Sequence, residues 1–149
     1  MGILIDNRQS RLTTAQAKIQ SKAQAVLSAL DSPESELSIL LVDDEQIAEL
    51  NTEYLDREGP TNVIAFPMQE GEFSQVNPFL LGDVVISIET AERESRKAGI
   101  PLEERVDELL VHGILHLFGY DHENDENGAA LMAEKTRVLM ALITQMEEE

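Results

Sequence analysis

His112-Gly113-Ile114-Leu115-His116-Leu117-Phe118-Gly119-Tyr120-Asp121-His122 holds all three histidines of this 149-residue chain, in the spacing H-x3-H-x5-H. A helix running to Phe118 puts His112 and His116 one turn apart on a single face, so that two imidazole nitrogens can meet at one point. Gly119 falls where a helix commonly ends in a left-handed residue, which glycine adopts without cost. A turn there carries His122 back towards the first two. Three neutral imidazoles around an ion, with a fourth position open, are the ligand set of a catalytic zinc site. The expectation is one Zn2+ per chain on His112, His116 and His122. The bland alternative is two core or surface histidines on a helix and one in a loop.

The long zincin motif H-E-x-x-H-x-x-G-x-x-H has the same spacing, with glycine at its eighth place. Here His112, His116, Gly119 and His122 occupy the matching places, but the second is Gly113 rather than glutamate. That glutamate is the general base of metalloproteases. Its absence argues against ordinary peptide hydrolysis.

Outward from this stretch, the helix is expected over residues 102–118, preceded by one at about 89–98 and followed by one at about 128–146. Further back, Ile3-Leu4-Ile5 reads as a first strand, and the apolar spacing of residues 11–30 reads as a helix that Thr13 or Thr14 caps. Leu37–Val42 is a β-rich apolar run and hence a buried strand. Asp43 and Asp44 suit the start of a helix over about 44–54. Val63–Phe66 is a third strand stopped by Pro67, residues 67–81 read as a long loop, and Gly82-Asp83 leads into a fourth strand ending at Ile88. The order β-α-β-α-β-β-α-α-α lacks strict alternation. It predicts a single α+β domain over residues 1–149, a small mixed four-stranded sheet packed with about five helices, one of them a zincin-like metal helix.

Composition narrows the function classes. The chain is 42% hydrophobic and has no cysteine, which excludes disulfides, thiolate ligands and a cysteine nucleophile. No apolar run reaches membrane-spanning length and the N-terminus lacks a signal pattern, so a cytoplasmic protein is expected, with no membrane and no DNA among its partners. The net charge is -18. Nucleic-acid binders usually carry a basic footprint, so charge alone makes RNA a poor partner unless a local basic face and a metal offset the acids. Residues 1–30 hold Arg8, Arg11, Lys18 and Lys22 against Asp6 alone. Lys18 and Lys22, four apart on a helix, read either as a solvated face or as a phosphate-contacting edge.

HGILHLFGYDH resembles the signature of the bacterial rRNA maturation factors of the YbeY type. Supporting stretches lie in the same order: Leu50-Asn51 before Tyr54, Pro60-Thr61-Asn62-Val63-Ile64-Ala65-Phe66-Pro67, and Leu81-Gly82-Asp83-Val84-Val85-Ile86-Ser87. The resemblance implies an α+β fold and one zinc on His112, His116 and His122. It implies a single-strand-specific endoribonuclease that acts in 16S rRNA 3′-end maturation and ribosome quality control, with single-stranded RNA and the ribosome as partners. The sequence departs from the family pattern at Ala65, where a serine is usual, and at Leu55, where an arginine usually follows the aromatic residue.

The nearest arginine is Arg57. Two residues along a continuous helix is a rotation of about 200°, which would turn it from the site. Glu58-Gly59-Pro60 suggests instead that the helix ends before residue 57, and an arginine in such a loop can swing its fork to a phosphate. Arg57 is therefore expected to stand in for the missing arginine.

Asp121 beside a ligand and Glu108 one turn before His112 are candidate proton handlers. Their bland readings are a residue that orients a turn or a histidine, and a solvated carboxylate. Asp83 reads as a structural hydrogen-bonding carboxylate. Two other function classes stay open: another zinc hydrolase acting on a peptide or small molecule, and a ribosome-associated binding factor with structural zinc.

Overall fold

The computed structural model describes residues 2–68, 79–120 and 126–148. Among them are β1 (Ile3–Asn7), α1 (Gln16–Ala29), β2 (Glu36–Val42), α2 (Asp44–Leu55), β3 (Val63–Pro67), β4 (Leu80–Ser87), α3 (Ile88–Ala98), α4 (Leu102–Leu117) and α5 (Glu126–Glu148). The strands form one mixed sheet in the order β1-β2-β4-β3. β1 and β4 run parallel to β2, and β3 closes one edge antiparallel to β4. This is the α+β architecture read from the sequence, with four strands and five helices among the described residues.

Alternation along the central strands builds two unequal cores, because successive strand side chains face opposite ways. Leu37, Ile39 and Leu41 of β2, with Val84 and Ile86 of β4, join the main core beneath α1, α4 and α5. Val42 and Val85 face the other way and meet Ile47 of α2 and Ile64 of β3 in a small cluster. None of the described helices is long and apolar enough to cross a membrane.

Several boundaries differ from the sequence reading. The helix expected over residues 11–30 begins at Gln16, and its N-cap is Ala15 with no side-chain cap, not Thr13 or Thr14. Local bonds hold the preceding chain outside the helix: the Gln9 carboxamide accepts from the Leu12 N–H and donates to the Leu12 carbonyl. Leu12 is buried from that loop rather than from a helix face. The Thr14 hydroxyl donates to Glu103 instead.

β3 includes Pro67 and β4 begins at Leu80, so both ends of the loop expected over residues 67–81 belong to strands, while residues 69–78 lie outside the described residues; Ile88 opens α3 rather than closing the strand. A register shift between Glu36 and Leu37 sets two residues of β4 against one of β2, which lets the strand start early. Lys22 is neither solvated nor a phosphate edge. It is 2% exposed, and its ammonium donates to both Asp107 carboxylate oxygens at 3.0 Å. Lys18 pairs with Glu103 at 2.7 Å. These bonds tie α1 to α4.

One close approach fixes α4 on the sheet. A Cβ on Gly113 would lie 2.6 Å from Val84 Cγ1 and 3.4 Å from Val63 Cγ2. No side chain fits there unless helix and sheet separate. Overpacking of this kind typically costs about 1–3 kcal/mol. Gly113→Ala should therefore lower the melting temperature, and Gly113→Val should lower it further. An alanine variant as stable as the parent would show that α4 lifts from β4 without cost.

Candidate metal centre

α4 forms because residues 102–117 combine helix-compatible residues with an apolar face that buries Val106, Leu109, Leu110, Val111, Ile114, Leu115 and Leu117. It ends as its sequence predicts. Gly119 takes φ +92°, its N–H donates to the His116 carbonyl, and the Tyr120 N–H donates to the Leu115 carbonyl. These are the two bonds of a Schellman termination.

On this helix the Nε2 atoms of His112 and His116 stand 3.1 Å apart, with ring centroids separated by 4.6 Å and ring planes crossing at 63°. Two nitrogens held at about 2.0–2.1 Å from one tetrahedral ion would be about 3.3–3.4 Å apart. The observed pair thus fits a shared divalent metal closely. A single N–H···N bond between one donor ring and one acceptor ring would give a similar separation. His122 and Asp121 lie outside the described residues, so the described part of the site contains two of the three expected ligands.

His112 and His116 open into a cleft of about 340 Å³ that runs along the β3 edge. Its walls come from four segments: the end of α2 (Asn51, Leu55), the following loop (Arg57, Thr61, Asn62), β3 (Val63, Ile64, Ala65) and α4. Both departures from the family pattern, Leu55 and Ala65, are therefore in the cleft itself, and Arg57 is there with them. α2 ends at Leu55, and Asp56 is left-handed at φ +54°, so the rotation of a continuous helix does not apply to Arg57. Six of the chain's seven arginines make ion pairs with carboxylates. Among the described residues Arg57 is the arginine that makes none.

Glu108 is absent from the cleft walls. It accepts from Arg105 Nη1 at 3.0 Å, while Arg105 Nε donates to Glu94 at the same distance. Partial burial acts to lower the Arg105 pKa, but hydrogen bonds to Glu108 and Glu94 outweigh it and raise the pKa overall. Glu94 also accepts from Asn62 Nδ2 at 3.2 and 3.3 Å. This chain of bonds braces the cleft wall against α4 through α3. Asn51, Thr61 and Asn62 fall inside the family-like stretches, yet nothing in the sequence alone marks them as part of a site beyond their placement on either side of the Gly59-Pro60 break.

The chain matches the family described as endoribonuclease YbeY over residues 4–144. It belongs to the YbeY family. A YbeY relative from Syntrophus aciditrophicus is 44% identical over 144 residues, covering 96% of this chain and 90% of its own length. Another, from Syntrophotalea carbinolica, is 46% identical over 147 residues, covering 97% of this chain and 98% of its own. A solution structure of a Thermotoga maritima protein superposes with a TM-score of 0.70 at 22% identity, covering 98% of this chain and 91% of that one. That likeness bears on the fold alone.

A wider cleft of about 490 Å³ lies on the opposite sheet face, lined in part by Ser38, Leu50, Tyr54, Phe66 and Asp83. It contains no histidine, so volume does not select the site here; ligand chemistry does. Burial raises the Asp83 carboxyl pKa above its ordinary value, and a hydrogen bond from Ser38 only partly offsets this. Asp83 is thus the hydrogen-bonded carboxylate read from the sequence.

A carboxyl whose pKa rises on folding stabilises the fold below its unfolded pKa. That contribution is lost as pH rises through the folded pKa. Asp83→Asn cannot ionise, so its melting temperature should gain on the parent between about pH 4 and about pH 7. Thermal scans at both values check this, and a variant-minus-parent difference that stays constant or falls with rising pH would overturn it.

Proposed function

We propose that this protein is a zinc-dependent endoribonuclease that cuts single-stranded RNA, with His112, His116 and His122 holding one Zn2+ and Arg57 receiving the phosphate. The observation that carries the reading is the 3.1 Å imidazole pair in a cleft that also contains Arg57. Membership of a family described as endoribonucleases supports RNA as the substrate. Zinc held by these imidazoles would supply Lewis acidity and a water of near-neutral pKa, so no strong protein base would be needed. This chain's own groups bind and orient. The imidazoles fix the ion's place, the Arg57 fork can neutralise charge on non-bridging oxygens, and Asp121 beside His122 is the candidate proton handler. Gly113 excludes a glutamate base at the zincin position, which disfavours the peptidase alternative. The cellular substrate in this reading is 16S rRNA at its 3′ end, in ribosome maturation and quality control in the cytoplasm.

The test joins metal analysis to an assay on single-stranded RNA. Gently purified protein should contain about one equivalent of zinc, and His116→Ala should lose both zinc and cleavage. Chelation should lower the melting temperature, because metal binding is linked to folding. Less than about a tenth of an equivalent would reject the metal centre. Arg57→Ala should slow cleavage by about 100-fold with zinc content unchanged, the scale typical of removing one group that stabilises developing charge. A metal-loaded protein that cleaves no RNA would favour the binding factor with structural zinc.

A further inference from the structure

Arg57 is held by its main chain while its side chain makes no ion pair with any described residue, and the holding groups come from one turn of α2. Asn51 is 4% exposed. Its carbonyl oxygen accepts the N–H of Asp56 and, at 3.2 Å, the N–H of Arg57. Its side-chain Nδ2 crosses the loop and donates to the Gly59 carbonyl at 3.0 Å. Next to it, Thr52 Oγ1 donates to the Arg57 carbonyl, also at 3.0 Å. Both polar main-chain groups of Arg57 are thus fixed by residues 51 and 52, and Gly59 is pinned beyond it.

The carbonyl contacts would form with any residue at position 51. The bond to Gly59 requires a buried side chain that donates, which asparagine supplies and aspartate, leucine or alanine does not. The chain reverses at Asp56, with φ +54°, and turns again at Gly59, with φ +85°. Each reversal lies next to a group that Asn51 holds.

We infer that Asn51 is a positioning residue for Arg57, with Thr52 in support. Its side chain closes the 56–59 loop so that the guanidinium enters the histidine cleft from a fixed main chain. The inference rests on the phosphate-binding reading of Arg57 above. A group misplaced by about an ångström can cost up to about 100-fold in rate, so loosening this loop should register in catalysis before it registers in folding.

A mutant cycle on the full-length, zinc-loaded protein with a single-stranded RNA oligonucleotide tests it. Asn51→Ala should slow cleavage by about tenfold. In an Arg57→Ala background the same substitution should slow it no further, because the group being positioned has gone. A double variant slower than Arg57→Ala by the full Asn51→Ala factor would overturn the inference, since Asn51 would then act independently of Arg57. Cleavage by Arg57→Ala at the parent rate would reject the phosphate reading itself, which is a separate result.

Thr52 is exposed, so Thr52→Val guards against an Asn51 variant that does not fold. It should slow cleavage by about threefold in the parent and not at all in Arg57→Ala, a smaller effect for an exposed hydrogen bond. Equal losses in both backgrounds would again overturn the proposal.

Discussion

The closeness of α4 to β4 at Gly113 is the constraint on which the rest of the site depends. A single absent side chain lets the helix settle against Val84 and Val63. His112 precedes the contact by one residue and His116 follows it by three, so both rings stand beside the contact rather than inside it. They stay half-buried at the mouth of the cleft, near the sheet edge formed by β3. The same closeness removes the place from which a zincin glutamate would act. Packing and chemistry are thus set together. A helix that must lie flat on the sheet here cannot present a carboxylate at residue 113, and whatever reaction the centre supports must take its base from elsewhere.

Charge is distributed with a comparable economy. At net -18 the molecule is a poor polyanion binder on average. Averages matter little at short range, because exposed charges more than about 8–10 Å apart are largely screened at physiological salt. Most of the cations are neutralised in place: Arg105 by Glu94 and Glu108, Lys22 by Asp107 and Glu103, Arg93 by Asp44. The Asp44 carboxyl shows how tight such pairing is. Burial works to raise its pKa, yet hydrogen bonds from Ser87, Thr90 and Arg93, with the charge of Arg93, hold it below its ordinary value. Against that background an arginine in the histidine cleft with no carboxylate partner among the described residues stands out more than the total charge does.

What the sequence disclosed follows from the range of the forces involved. The histidine-bearing helix α4, its stop at Gly119 and the Asp43 cap of α2, whose side chain accepts from the Gln46 N–H, are written in local signals a few residues long. The start of α1 is not legible in the sequence because Leu12 is apolar for a tertiary reason, burial from a loop, and periodicity cannot tell the two apart. The role of Lys22 is hidden for the same reason. Its spacing to Lys18 marks a helix face, but only the packed structure shows that the face meets Asp107. In the site, the histidine pair was legible because both rings share one helix. The cleft around it was not, because its walls come from segments some sixty residues apart.

Leu55 and Arg57 show why position in a motif and position in space need separate treatment. Leu55 is the last residue of α2 and lines the cleft, so an arginine in its place would enter directly. Read along the chain, this protein has lost that group. In space, Asp56 adopts a left-handed conformation, which an aspartate tolerates better than most side chains, and the chain folds back across the end of the helix. A residue two steps on then borders the same cleft from the loop side. A short helix end can be re-threaded at small energetic expense, whereas the imidazole pair, built into a helix pressed against the sheet, has no comparable freedom. A side chain that borders this cleft can therefore shift along the sequence in a way that His112 and His116 cannot.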